Sequence, residues 1–196
     1  MRRTMYVVYG DFNCPYSCLA SARADILRDR EVAEVQWRAV EHDPALPQPS
    51  EPVQGALMAT LDREVGEVQG MLRPGESFPI RRPPVHPNTA RAVAAFAAAS
   101  DEGAHDLRRR LFAALWFDGR DTGDPTVVRE LGGDTAGVAV PRVSTWRDAW
   151  LALERPLVPM LVLPNGYVSR GLGALARLAD LAAPAAEQDR SSGVTP

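Results

Sequence analysis

The chain has 196 residues, of which 45% are hydrophobic and 24% charged, and its formal net charge is −3. This composition is typical of globular proteins, and the length suggests one domain with room for an inserted subdomain. The small negative charge, with no basic block beyond residues 108–110, makes a nucleic acid an unexpected partner. No apolar run reaches the length of a membrane span, so we expect no membrane association.

The N-terminal sequence and the two cysteines indicate the cellular compartment in which we expect the protein. Arg2 and Arg3 precede only a short apolar stretch, which lacks the length of a secretory signal. We therefore expect a cytoplasmic protein. In a reducing compartment, two cysteines indicate a catalytic or incidental role rather than a structural disulfide.

The first part of the chain predicts a βαβ unit. Residues 5–10 are apolar and rich in β-branched and aromatic side chains, which is typical of a buried strand. Helical spacing follows over residues 14–29, and residues 35–40 alternate as a second strand does. A helical crossover of this length predicts that the two strands are parallel neighbours.

A block of helices follows, interrupted by proline-rich loops at residues 42–52 and 73–87. Spacing and capping residues predict helices over 55–72, from Asn88 or Thr89, over 105–117, over 125–131, and from Ser144 or Thr145 to Leu153.

The β pattern returns near the end of the chain. Residues 160–163 and 167–169 flank the turn Pro164-Asn165-Gly166, which predicts an antiparallel hairpin. Residues 172–182 then predict a closing helix. The order of elements is therefore βαβ, a helical block, and ββα, which is an α/β fold.

Cys14 lies where the first strand gives way to the first helix, and Pro15 follows it. Proline is tolerated at the first helical position because its missing N–H would have no intrahelical partner there. The unpaired N–H groups and the positive end of the helix dipole stabilise a thiolate. The sequence therefore predicts a reactive cysteine with a depressed pKa.

Four stretches together resemble one known family. They are residues 11–20 (DFNCPYSCLA), 87–92 (PNTARA), 111–121 (LFAALWFDGRD) and the pair Val158-Pro159 before a strand. In order and separation they resemble the DsbA family of the thioredoxin superfamily. The branch is the one that contains FrnE-like dithiol oxidoreductases, 2-hydroxychromene-2-carboxylate isomerases and kappa-class glutathione transferases.

The resemblance implies a thioredoxin-like α/β fold with an all-helical insertion between its βαβ and ββα halves. On this basis the organisation divides into a core, an insertion and a tail that we expect to be disordered. The segments are 1–43 and 155–183 for the core, 50–153 for the insertion and 184–196 for the tail.

The cysteine spacing departs from the family pattern. Oxidoreductases of this fold have two cysteines two residues apart, and the second resolves the mixed disulfide formed by the first. Here Cys14 takes the first position, Ser17 the second, and Cys18 lies one place later. Helical Cβ atoms at i and i+4 are about 5–6 Å apart, whereas a disulfide needs about 3.5–4.5 Å. A Cys14–Cys18 bond would need a distorted helical turn, so we favour Cys18 as a small buried hydrophobe.

The resemblance also implies roles for individual residues. Cys14 would be the nucleophile, Ser17 would donate a hydrogen bond to its thiolate, and either Cys18 or an external thiol would resolve the intermediate. The residues implied for substrate binding are Pro15, Tyr16, Asn88, Val158 and Pro159, with Pro159 in the cis form. Capping of a helix is an equal or better interpretation of Asn88.

No bound cofactor and no metal are expected. Glu41, His42 and Asp43 are adjacent in an extended stretch, where successive side chains point to opposite faces and cannot converge on one ion. His86 lies near the Asn-Thr segment. One interpretation places it in the lining of a cleft, and the more common one for a loop histidine is a solvent-exposed position. No histidine is close to Cys14 in sequence, so the local sequence does not indicate a Cys–His pair.

Three functions stay open. The first is a DsbA-like thiol–disulfide oxidoreductase that acts through Cys14. The second is an isomerase or transferase that depends on a small thiol, with glutathione or an equivalent as co-substrate. The third is a thioredoxin-fold binding protein without turnover. The partners expected are a thiol or disulfide substrate, and the resemblance implies a homodimer.

Overall fold

The computed structural model describes residues 4–134 and 140–183. The strands are β1 (Met5–Gly10), β2 (Glu34–Ala39), β3 (Glu51–Pro52), β4 (Val85–His86), β5 (Met160–Val162) and β6 (Val168–Arg170). The helices are α1 (Pro15–Asp29), α2 (Gly55–Gly70), α3 (Ala90–Ala98), α4 (Asp101–Trp116), α5 (Pro125–Glu130), α6 (Pro141–Leu151) and α7 (Leu172–Ala182).

A mixed sheet forms the centre of the molecule, in the strand order β2-β1-β5-β6. Strand β1 runs parallel to β2, with Val8 opposite Trp37, and antiparallel to β5, with Val8 opposite Leu161. Strands β5 and β6 form the predicted antiparallel hairpin. Both the βαβ half and the ββα half are confirmed, and they meet along β1.

The helical insertion shares the core of the sheet rather than forming a separate body. Helix α1 packs against α7, α2 and α4, while α3 and α6 contact β2. The ring of Phe12, which follows β1, lies 4.9 Å from that of Phe112 in α4, and Trp37 of β2 packs edge-on to the same ring at 5.7 Å. These aromatic contacts fix the position of the helices above the end of β1.

Two helices differ from the sequence prediction. Helix α4 begins at Asp101 rather than at 105, because Ser100 caps it by accepting a hydrogen bond from the N–H of Gly103. Helix α6 begins with Pro141 and ends at Leu151. Ser144 and Thr145 therefore lie inside its first turns, where both hydroxyls donate to the carbonyl of Pro141 instead of capping. A proline at the first helical position was the stronger start signal.

The proline-rich loops also hold structure that the sequence did not indicate. Strands β3 and β4 pair in antiparallel fashion inside these loops and tie them together. The predicted tail, residues 184–196, lies outside the described residues. Within the part of the chain that the structure describes, none of the helices combines the length and apolar character needed to cross a bilayer.

Candidate active site

Cys14 is the N-cap of α1, with extended backbone dihedrals (φ −103°, ψ 120°) and Pro15 at the first helical position. The backbone N–H of Ser17 donates to the Cys14 sulfur over 3.4 Å. The side chain thus takes the place that a serine or aspartate oxygen commonly fills at an N-cap. The predicted location of Cys14 at a helix N-terminus is confirmed.

The two halves of the fold meet at this sulfur. The Cys14 thiol lies 3.8 Å from the carbonyl oxygen of Val158, to which it donates. The Val158–Pro159 peptide bond is cis, as the resemblance implied. Residues separated by 144 positions in the sequence are therefore in contact.

A cavity of about 390 Å³ opens in front of Cys14. Helix α2 forms one wall with Leu57, Leu61 and Glu64, and the segment before β5 forms another. The indole of Trp150 closes that second wall, because its Nε1 donates to the carbonyl of Leu157 over 3.0 Å. A cavity of this size and partly apolar lining suits a small ligand or one extended peptide segment.

The pKa of Cys14 corrects the expectation of a thiolate. Burial raises the pKa of this thiol to about 11, because a charged sulfur would lose its hydration. The hydrogen bonds from Ser17 lower the pKa of Cys14, and the negative charge of Asp11 raises it. Burial is the largest of these effects, so the pKa stays above its usual value. In this structure Cys14 is a protonated thiol at neutral pH, and its attack on a substrate requires a base.

Ser17 is fully buried behind Cys14. Its hydroxyl oxygen accepts a hydrogen bond of 3.3 Å from the N–H of Asp11, while its own N–H points to the Cys14 sulfur. Ser17 therefore joins the loop before α1 to the first helical turn. Its effect on the Cys14 pKa is in the predicted direction, toward a lower value.

Cys18 is separated from the Cys14 cavity. Both cysteines are free, and Cys18 lines a different cavity of about 330 Å³, together with Ser21 and Phe112. Burial raises the pKa of Cys18 well above its usual value. This arrangement favours the interpretation of Cys18 as a small buried hydrophobe rather than as a resolving thiol.

A buried carboxylate that the sequence did not single out organises the loop before Cys14. Asp11 is fully buried. One of its oxygens accepts from the hydroxyl of Thr89 over 2.6 Å, and the other accepts from both the N–H and the Nδ1 of His42, each over 2.8 Å. Thr89 belongs to the start of α3 and His42 follows β2, so these partners are distant in sequence.

His42 and His86 both line the cavity in front of Cys14. The hydrogen bond with Asp11 raises the pKa of His42, whereas burial lowers that of His86. No sequence signal placed His42 there, because it is 28 residues from Cys14 and only the pairing of β1 with β2 brings it close.

The remaining residues predicted to bind substrate divide into two groups. Pro15, Tyr16 and Val158 line the cavity, and the Tyr16 hydroxyl donates to Glu67 of α2. Pro159 is not among the lining residues and borders the site through its cis bond to Val158. Asn88 does not line it: its amide oxygen accepts from the N–H of Ala90, and its amide nitrogen donates to the carbonyl of Leu46 over 2.9 Å. Asn88 therefore binds the N–H of the first residue of α3, while the N-cap position itself is Thr89, whose side chain makes no capping hydrogen bond.

The described ranges contain no cluster of three or more His, Cys, Asp or Glu side chains suited to hold a metal ion. Glu41, His42 and Asp43 diverge, since His42 alone of the three turns toward Asp11 and the cavity.

Comparison with known proteins extends these observations. The sequence profile described as a DSBA-like thioredoxin domain matches residues 7–140. A search of curated proteins gives no match.

Solved structures share the fold at low sequence identity. A probable DsbA oxidoreductase from Streptomyces coelicolor superposes with a TM-score of 0.71 at 19% identity, over 98% of this chain and 92% of its own. A 2-hydroxychromene-2-carboxylate isomerase gives 0.67 at 19% identity, over 95% and 98%. The cytosolic disulfide reductase DsbM from Pseudomonas aeruginosa, solved with GSH, gives 0.57 at 19% identity, over 95% and 99%. At this identity the likeness shows the thioredoxin-like fold alone.

Proposed function

The chain belongs to the family of DSBA-like thioredoxin domains, and on this premise we propose that it is a thiol–disulfide exchange enzyme in which Cys14 is the reacting sulfur. One observation carries the proposal. Of the two cysteines, only Cys14 lines the cavity, and its sulfur lies against the carbonyl of Val158 beside the cis proline. A disulfide that enters the cavity would meet this sulfur and the backbone of Val158 together.

The proposed reaction uses a single protein thiol, that of Cys14. Cys14 attacks one sulfur of a disulfide, a mixed disulfide forms, the original S–S bond breaks and the other half leaves as a thiol. A second thiol molecule then attacks the mixed disulfide and restores Cys14, so atoms and electrons balance without a bound cofactor. Because Cys18 lines a different cavity, the resolving thiol in this proposal is external, such as glutathione.

We test this with intact-mass analysis and turnover. Reduced protein is incubated with glutathione disulfide, and the glutathione-dependent reduction of bis(2-hydroxyethyl) disulfide is followed. We expect one glutathionyl adduct and turnover in the wild type and in Cys18→Ala. Both should be absent in Cys14→Ser. An adduct on Cys18, or unchanged turnover in Cys14→Ser, would contradict the proposal.

A second function is favoured by one observation. The raised pKa keeps Cys14 protonated, so it is a hydrogen-bond donor as well as a latent nucleophile. A donor at this position would stabilise the thiolate of a bound small thiol, as an isomerase or transferase of the 2-hydroxychromene-2-carboxylate isomerase or kappa type requires. The same variant separates the two functions. Cys14→Ser keeps a donor, so it should retain glutathione-dependent isomerase or conjugating activity while it loses disulfide exchange.

Binding without turnover is the third outcome. It would be indicated by saturable binding of glutathione with no adduct and no product in either assay. A cytosolic location and a homodimer stay predictions, and analytical ultracentrifugation of the purified chain tests the dimer.

A further inference from the structure

We propose that His42 is the acid–base residue of the Cys14 site, which takes the Cys14 proton and delivers it to the sulfur that leaves. This inference rests on the proposed exchange function and assigns the proton route of that same site. Asp11 is the positioning residue in this arrangement, because its carboxylate holds the His42 ring by a hydrogen bond.

The hydrogen bonding of His42 fixes which ring nitrogen is available. Nδ1 lies 2.8 Å from a carboxylate oxygen of Asp11, so Nδ1 carries the proton and donates it. In the neutral ring, Nε2 is then the acceptor. Within residues 4–134 and 140–183, no hydrogen bond to Nε2 is made, and the side chain retains 39% exposure while Asp11 retains 1%. A buried carboxylate thus holds a partly exposed imidazole, and this imidazole belongs to a residue that lines the Cys14 cavity.

The other titratable groups of the cavity fit the role less well. The Tyr16 hydroxyl is engaged by Glu67, and the pKa of Tyr16 is raised by burial. Glu64 is a carboxylate on α2, and proton transfer from a thiol to a carboxylate is strongly uphill. His86 lines the same cavity, and burial lowers its pKa, which makes it the weaker base.

The charges around His42 all favour its role as a base. Asp11 and Asp43 on its own side, and Glu64 from α2, raise its pKa, while burial lowers it. His86 of β4 is the other titratable group that faces it. With three carboxylates nearby, the imidazolium formed by proton uptake is stabilised, as in the arrangement by which a histidine paired with an aspartate activates a nucleophile.

The proton transfers balance without a further reactant. The Cys14 thiol gives its proton to Nε2 of neutral His42, through a cavity water, as the sulfur attacks the disulfide. The sulfur–sulfur bond breaks, and the departing thiolate takes the proton from the imidazolium. The products are the Cys14 mixed disulfide, a neutral thiol and neutral His42, so the histidine is ready for the resolving step.

The experiment measures single-turnover formation of the Cys14 mixed disulfide in wild type, His42→Gln and His105→Gln. Two disulfides are used. One is the dithiobis(nitrobenzoate) reagent, whose leaving thiol is acidic, and the other is bis(2-hydroxyethyl) disulfide, whose leaving thiol is basic. General acid–base catalysis contributes about 10²–10⁴-fold. We therefore expect His42→Gln to slow the basic disulfide at pH 7 by at least about 100-fold. The acidic disulfide should be slowed less, because it needs the Cys14 proton removed but not its leaving sulfur protonated.

Two further readouts separate catalysis from a structural effect. The deficit of His42→Gln should shrink as the pH approaches about 11, where the Cys14 thiol ionises without a base. Asp11→Asn should move the acidic limb of the wild-type rate profile to lower pH, because Asp11 raises the pKa of His42. His105→Gln is the matched control, because His105 does not line this cavity, and its rates should stay within about threefold of wild type.

The outcomes are distinguishable from those of the proposed function. Equal slowing of both disulfides by His42→Gln, or a deficit that does not change with pH, would overturn the assignment of His42 and leave the exchange function intact. No Cys14 adduct with either disulfide in the wild type would overturn both.

Discussion

The indole Nε1 of Trp116 donates a hydrogen bond of 2.8 Å to the main-chain carbonyl of Phe12, two residues before Cys14. Trp116 is the last residue of α4 and is fully buried. The end of the helical insertion therefore holds the loop on which the reacting sulfur is placed.

Trp116→Phe tests this bond. The substitution leaves a buried carbonyl without its donor and opens a small cavity, so we expect the free energy of unfolding to fall by about 3 kcal/mol. Urea denaturation measures it. Trp146→Phe is the matched control: Trp146 is half-buried and packs on Phe96, and its loss should be about 1 kcal/mol or less. Equal losses would show that the Phe12 bond is not what distinguishes Trp116.

Gly10 is required by close packing at the end of β1. A Cβ at this position would lie 2.3 Å from Cζ2 of Trp37 and 3.2 Å from Oγ of Ser17. Since Trp37 is itself buried, Gly10→Ala should lower the free energy of unfolding by about 2 kcal/mol or more. Gly66→Ala, inside α2 with nothing within 4 Å of the added Cβ, should instead raise it by about 1 kcal/mol. A neutral Gly10→Ala variant would contradict the packing argument.

Ser17→Cys should convert the one-thiol site into a two-thiol site. Ser17 is in hydrogen-bond contact with the Cys14 sulfur, and its spacing is that of the family's resolving cysteine. We expect the variant to release glutathione from its Cys14 adduct and to form an internal disulfide, seen as a mass lower by two hydrogens. The double variant Ser17→Cys, Cys18→Ala should behave identically. Loss of the internal disulfide in the double variant would show that Cys18 takes part.

The lowered pKa of His105 predicts that the fold loses stability on acidification. Burial, together with Arg108, Arg28 and Arg109, lowers the pKa of His105 to about 4. The unfolded chain, with a histidine pKa of about 6.5, binds the proton first, so stability falls as the pH drops from about 6.5 toward 4. His105→Gln should lose less stability than wild type between pH 7 and pH 4.5 in urea titrations.

The pKa of His42 is shifted in the opposite direction to that of His105, so His42→Gln serves as the comparison in the urea titrations. Its folded pKa is raised by Asp11, so its contribution is fully present below the unfolded pKa and is lost as the pH rises through the folded value. His42→Gln should therefore lose more stability than wild type on acidification. If both variants followed the wild-type profile, neither histidine would contribute to the pH dependence.

Local sequence patterns were sufficient to predict much of the fold. Residues 5–10, the hairpin at β5 and β6, and helix α7 were predicted close to their observed bounds, because alternation, turn residues and helical spacing are properties of neighbouring residues. The start of α6 was missed because two hydroxyl residues suggested a cap, while Pro141 supplied the first helical position. Strands β3 and β4 were missed because two-residue strands leave no periodic signal.

The sequence by itself determined that Cys14 begins a helix, that Ser17 stands where a second thiol is usual, and that Pro159 precedes a strand. The tertiary structure decided the chemistry of that cysteine. The helix N-terminus predicted a thiolate, but the packing around Cys14 removes its hydration and raises its pKa, and desolvation depends on every element that covers the sulfur. The same packing brings Asp11 and His42 together across 31 positions, because the parallel pairing of β1 and β2 sets their ends side by side.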